Sequence, residues 1–236
     1  IKIDDLVETT NHFKCFDYII NTVDEQLTED YVKKLHSILK AGTSSEYNEY
    51  APVGRYKVFE NEVGQIATAA VDQVEEAMYS LLLGYNFKKE KDLAYLASFH
   101  ARFEQIHPFA DGNGRVGRLI LYKECLKEGI TPFIVDDTRK ADYYNALEQF
   151  QSYDNHQPLI DYFASEQKFY ANYLKNKGFA GKINDSKDRD VINKKSKKEA
   201  HKLRTNGYPR LRRHSAYGAS TRKAASTIRR QLPEKN

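Results

Sequence analysis

The chain has 236 residues, 40% hydrophobic and 30% charged, which is enough for one well-buried domain with an appendage. No apolar run approaches a bilayer span and no basic-then-apolar leader opens the chain, so no membrane association is expected; two cysteines without metal-ligand spacing, Cys15 and Cys125, point to a reduced, cytoplasmic setting. The net charge of +4 conceals an asymmetry: Lys187 to Asn236 carries 16 Lys+Arg against 4 Asp+Glu, a charge of +12, which leaves −8 for the rest.

Helical periodicity runs through almost the whole acidic body. Asp5 to Val23 is marked by Leu6, Phe13, Phe16, Ile19 and Ile20, and Thr28 is placed to cap a helix over Glu29 to Lys40 that Gly42 ends. Residues 43–67 break that rhythm, and Ser, Pro and Gly around Tyr56-Lys57-Val58-Phe59 predict a short hairpin. Helices resume at Val71 to Leu83, Asp92 to Ile106 and Gly114 to Lys127, the last stopped by Gly129; Tyr143 to Ser152 and Leu159 to Leu174 complete an all-α body. Cys125 lies on one of these helices and reads as core rather than nucleophile.

Between the fourth and fifth of these segments stands His107-Pro108-Phe109-Ala110-Asp111-Gly112-Asn113-Gly114-Arg115-Val116-Gly117-Arg118. Gly112 and Gly114 lack Cβ, so the backbone there can take φ > 0 and approach a ligand, and the helix that follows would point free N–H groups at a bound anion. Arg115 and Arg118, three residues apart, share a helix face from which both guanidinium forks can reach phosphate oxygens. Asp111 is a hard oxygen ligand suited to Mg²⁺, and His107 has an imidazole suited to accept a proton at neutral pH. The same residues satisfy G-x-G-x-x-G, with Asp136 and Asp137 near the distance of a ribose-binding acid, but that fingerprint must follow a strand. Leu96, Phe99, Phe103 and Ile106 instead recur at helical spacing upstream, and a P-loop fails because no Gly-Lys-Ser/Thr follows.

His107 to Arg118 matches every specified position of H-x-F-x-D/E-G-N-G-R-x-x-R and resembles the signature of the Fic (Fido) family. Gly54-Arg55-Tyr56-Lys57-Val58 through Gly64-Gln65-Ile66-Ala67 is similar to the family's flap, and Tyr143-Tyr144-Asn145-Ala146-Leu147 to the segment after the motif helix, so the resemblance covers roughly residues 5–176. It implies a mainly α, Fic-type helical bundle over 1–178 with a β-hairpin flap at about 54–67 above the site. It further implies transfer of AMP from ATP to a protein Ser, Thr or Tyr hydroxyl, with Mg²⁺ and with pyrophosphate as product. Within that resemblance His107 is the base, Asp111 holds the metal and Asn113 the α-phosphate. Gly112 and Gly114 line the anion hole, Arg115 and Arg118 grip the outer phosphates, and Phe109 plugs the loop into the core. The target segment would lie along the flap by strand addition. Tyr143 and Tyr144 could border the adenine, and Tyr144 is retained as the candidate; Lys57 reads as a solvated charge. Related motifs serve donors of UMP, phosphocholine or a terminal phosphate.

One family element does not occur. S/T-x-x-x-E-G/N, whose Glu opposes the last motif arginine, is matched nowhere from Ile1 to Asn236. An inhibitory segment upstream of Ile1 or a separate antitoxin chain would supply it; without either, self-modification is expected, with Tyr56, Thr9 and Thr10 as exposed targets. The basic residues 179–236 read as a flexible or partner-ordered extension, with Ser220 to Ile228 faintly similar to the second helix of a winged helix-turn-helix and weak, salt-dependent nucleic-acid contact as the expected property. Other readings are a nucleotide-binding regulator, a de-AMPylating enzyme and a DNA- or anion-binding module; a homodimer is compatible with each.

Overall fold

A computed structural model describes residues 2–63 and 66–176. Among the described residues there are seven α-helices: α1 (Ile3–Asn21), α2 (Glu29–Lys40), α3 (Val74–Phe87), α4 (Leu93–Ile106), α5 (Asn113–Glu128), α6 (Lys140–Tyr153) and α7 (Gln157–Leu174). A two-stranded antiparallel pair, β1 (Glu62–Val63) with β2 (Ile66–Ala67), sits between α2 and α3, in the register Glu62 to Ala67 and Val63 to Ile66. The basic extension and its helix-turn-helix-like stretch lie outside the described residues.

The helix limits follow from local chemistry. Thr28 Oγ1 accepts from the Tyr31 N–H and Asp92 Oδ1 from the Tyr95 N–H, satisfying first-turn donors of α2 and α4. Gly129, at φ 69°, ends α5 in the left-handed conformation. Several limits differ from the sequence reading: α1 is shifted two residues toward the N-terminus, α6 and α7 begin three and two residues earlier, and α3 differs at both ends. Val71–Gln73 is a 3₁₀ turn, and the α-helix begins at Val74. It continues through Gly84 to Phe87 because the last turn has something to bury: Tyr85 packs against Phe99 and donates its hydroxyl to Glu124 Oε2 at 2.6 Å. The apolar residues that mark α1 also divide, with Ile19 buried and Phe16 packed on the core, whereas Leu6, Phe13 and Ile20 recur every seven residues on the outward side.

α4 packs against α3, α5, α6 and α7, and α5 also meets α1 and α2, so the α4–α5 hairpin is the centre of the bundle. Phe99, Phe103, Val116, Leu119 and Ile120 supply much of its buried surface, and both Cys15 and Cys125 are buried free thiols. Burial pushes the Cys125 thiol up to about 12, in keeping with a core residue.

The approach of α4 to α5 depends on Gly117. A Cβ there would strike Glu104 Oε1 and lie 3.1 Å from Phe103 Cδ1, whereas a Cβ on Gly84 of α3 would meet nothing within 4 Å. In an open helix interior Ala is favoured over Gly by about 1 kcal/mol. Gly84→Ala should therefore raise the urea midpoint followed by circular dichroism, and Gly117→Ala should lower it.

Candidate functional site

The motif loop is the turn between the two central helices. His107 caps α4 in the left-handed conformation, φ 51° and ψ 61°, its N–H bonded to the Phe103 carbonyl at 3.0 Å. A non-glycine residue held there costs about 1–3 kcal/mol, which surrounding contacts must offset. Phe109 provides them. Its fully buried ring stacks on His36 of α2, centroids 4.0 Å apart and planes within 6°, as expected of a plug. Its N–H donates to Asn113 Oδ1 and its carbonyl accepts from Asn113 Nδ2, both at 2.7 Å.

The loop is held from outside as well. The Lys57 N–H donates to the Pro108 carbonyl at 2.8 Å, and Asn61 Nδ2 to the Phe109 carbonyl at 3.0 Å. Lys57 corrects the sequence reading: it is 3% exposed rather than solvated, because its ammonium donates to Asn61 Oδ1 and Thr68 Oγ1. Tyr56, expected to be exposed, is buried too, with its hydroxyl on Glu29 Oε2 and the Lys33 ammonium 4.1 Å from its ring centre. Thr9 and Thr10 are exposed.

His36 fixes the end of the loop. Its Nδ1 accepts the Gly54 N–H at 2.9 Å, so its proton resides on Nε2, which donates to the Asp111 carbonyl at 3.1 Å. Gly112 then turns at φ 85° and precedes α5, whereas Gly114 is an ordinary helical residue. Its lack of a side chain serves Arg118, since a Cβ there would lie 3.1 Å from Arg118 Nη1. The Asn113 amide is engaged by Phe109 and buried, so the groups at this position left without intrahelical partners are first-turn N–H groups of α5.

The two arginines share a helix face but not an environment. Arg115 is paired with Asp111, through Nη2 at 3.1 and 3.2 Å, and with Glu8. The charge of Arg118 acts on Tyr143, Glu104, His100 and His12. Tyr143 is buried with its hydroxyl 2.8 Å from His100 Nε2, whereas Tyr144 is half exposed, its ring centre 5.2 Å from that of Tyr143. Glu8, Lys40, Asn61 and Glu104 were not singled out in the sequence. Glu104, one turn before His107 on α4, carried the one local signal.

Burial tunes the ionisable groups. Burial lowers His107, with the Lys57 charge assisting and the hydrogen bond with the Glu104 carbonyl and the Asp111 charge opposing, so the ring is neutral at neutral pH; its Nδ1 is buried, which leaves Nε2 as the proton acceptor. For Asp111 burial acts upward, but the Lys40 ammonium and the Gly112 N–H hold the carboxyl below its ordinary value. Among the described residues no group of three or more His, Cys, Asp or Glu could hold a metal. A single ionised, half-exposed carboxylate nonetheless suits Mg²⁺, which keeps most of its waters and takes phosphate oxygens.

Buried neutral imidazoles make stability depend on pH. Burial brings His36 down to about 4 and His100 to about 3, so the unfolded chain binds more protons below about 6.5 and stability falls with pH there. Glu104, pushed up to about 7 by burial against the pull of Arg118, acts oppositely: its proton is held more tightly in the folded chain, which gains stability as pH falls from 7 toward 4.5. Two histidines outweigh one carboxyl. The urea midpoint should fall between pH 6.5 and 4.5, and His100→Gln should flatten that slope.

Comparison with known proteins agrees with this geometry. Residues 26–125 match the family model described as Fic/DOC family. A protein adenylyltransferase Fic from Nematostella vectensis is 30% identical over 99 residues, 41% of this chain and 23% of the relative, so the match spans less than a quarter of that protein. A Fic domain-containing signaling protein from Bacteroides thetaiotaomicron superposes with a TM-score of 0.66 at 22% identity, over 78% of this chain and 76% of that one. The BepC effector of Bartonella tribocorum, solved with bound AMPPNP, gives 0.50 at 20% identity, over 70% and 88%. Among the described residues no helix is long and apolar enough to cross a membrane. With the complete motif lodged between the two central helices of a bundle of this fold, residues 26–125 form the part of the chain that the Fic/DOC family model describes.

Proposed function

We propose that the chain is a protein adenylyltransferase that moves AMP from ATP to the hydroxyl of a protein Ser, Thr or Tyr. The observation that carries this reading is the half-buried, neutral His107, fixed in a left-handed cap directly before an anion-binding helix N-terminus. In the reaction the target oxygen attacks the α-phosphorus and its proton passes to His107 Nε2. The bond from the α-phosphorus to the bridging oxygen breaks, pyrophosphate leaves, and a phosphodiester remains on the target. First-turn N–H groups of α5 meet charge developing on the phosphate, while Arg118 and Arg115 hold the outer phosphates. Mg²⁺ held by Asp111 would supply neutralisation of phosphate charge. The exposed face of Tyr144 borders the adenine.

Two further features support the reading. Adenylyltransferase is the printed name of the Nematostella relative, and the Bartonella effector binds an ATP analogue on the same fold. The β1–β2 pair offers a short edge on which a target segment could add a strand, with main-chain hydrogen bonds that make little sequence demand.

His107→Ala should lower AMP transfer, measured with α-labelled ATP and lysate proteins, by at least about 100-fold, the usual contribution of a positioned base. Its ATP affinity, measured by calorimetry, should stay within about twofold. Equal losses of rate and affinity would remove His107 from the role of base. Arg118→Ala should weaken ATP binding more than ADP binding, and equal weakening would show that Arg118 does not read the terminal phosphate.

A further inference from the structure

Four charged side chains from α1, α2, the motif loop and α5 close a ring beside the motif. The Lys40 ammonium, at the end of α2, has a carboxylate on each side, Glu8 Oε1 at 2.7 Å and Asp111 Oδ2 at 2.5 Å. Arg115 completes the circuit, with Nη1 against Glu8 Oε2 and Nη2 against both oxygens of Asp111. Glu8 is brought there by a clamp one turn further along α1, where Asn11 Nδ2 donates to the Leu39 and Ala41 carbonyls at 3.0 and 2.7 Å.

The members of the ring are not equivalent. The side chains of Glu8 and Lys40 are 8% and 5% exposed, those of Asp111 and Arg115 56% and 34%. Lys40 touches both carboxylates, so Arg115 can leave the ring without stranding a buried charge, since each acid keeps the ammonium. Without Lys40, Glu8 would have Arg115 as its remaining cationic partner in the ring, and a buried carboxylate with one partner holds it strongly.

We propose that Glu8 and Lys40 are opposed positioning residues that set how readily Arg115 passes from the protein's own carboxylates to a nucleotide phosphate. Glu8 restrains Arg115, and Lys40 relieves that restraint by balancing both acids when the arginine departs. The inference rests on the reading of Arg115 as a phosphate ligand. It adds a competition, set from outside the motif, for one of the motif's two arginines.

Calorimetric titration of the full chain with ATP and with adenosine, at fixed Mg²⁺ and ionic strength, tests it. Glu8→Gln keeps the shape and a hydrogen-bonding oxygen but removes the charge, and should tighten ATP binding about three- to tenfold. Lys40→Met should weaken it by a similar factor, Lys40→Arg should restore it, and adenosine affinity should move with none of them. The gain from Glu8→Gln should vanish in an Arg115→Ala background. ATP binding by Glu8→Gln that is equal to or weaker than wild type, or a gain that survives Arg115→Ala, overturns the proposal while leaving the nucleotide site standing. If neither wild type nor Glu8→Gln, both folded by circular dichroism, binds ATP, the nucleotide reading fails and the proposal with it. Should Lys40→Met not fold, the Glu8–Arg115 cycle decides alone.

Discussion

The site depends on two hydrogen bonds that close a five-residue turn on itself: the Phe109 N–H and carbonyl both engage the Asn113 side chain at 2.7 Å. An amide is the side chain that can donate and accept in this way at once, and in a buried loop an unmatched backbone group costs about 1–3 kcal/mol. Because the turn is closed, the Phe109 ring points into the core and stacks on His36, and α5 starts where its first N–H groups have no partner. His107 is thereby held in a backbone conformation it would not choose. The segment from Lys57 to Thr68 reinforces the turn from outside through Asn61, which bonds to the same carbonyl. A change in that outer segment would therefore be felt at the loop.

Much of this was legible in the sequence because it is local. The helix cap at Thr28, the stop at Gly129 and the left-handed turn at Gly112 follow from residue types at fixed offsets. Phe109 as a plug needed the resemblance, but its burial is what an aromatic between two helices would do. What the sequence hid is long-range. Lys57 looks like any surface lysine until Asn61 and Thr68 are seen to satisfy its ammonium, and Lys40 and Glu8 meet across 32 residues through the packing of α1 on α2. The glycines illustrate the same limit. Gly112 and Gly114 look alike in a G-N-G string, yet one is required for a positive φ and the other for the room it leaves Arg118. The end of α3 was misread because burial of Tyr85 outweighs the weak helix propensity of Gly84.

Spacing also says less about arginines than about helices. Residues three apart on α5 do share a face, but the electrostatic surroundings of that face change within one turn. Arg115 meets Asp111 and Glu8, two carboxyl groups with a buried ammonium between them, so its charge already has partners. Arg118 faces a different group: a tyrosine hydroxyl, an imidazole kept neutral by burial, and Glu104, a carboxyl poised near neutrality. An anion arriving at the helix terminus thus finds one arginine with little competing negative charge and one with a great deal. The two positions of the R-x-x-R pattern are unequal before any ligand binds, and the inequality originates in α1, α2 and α4 rather than in the motif. A twelve-residue signature can therefore be matched at every position while the charge environment of each of its cations is set by residues the signature does not contain.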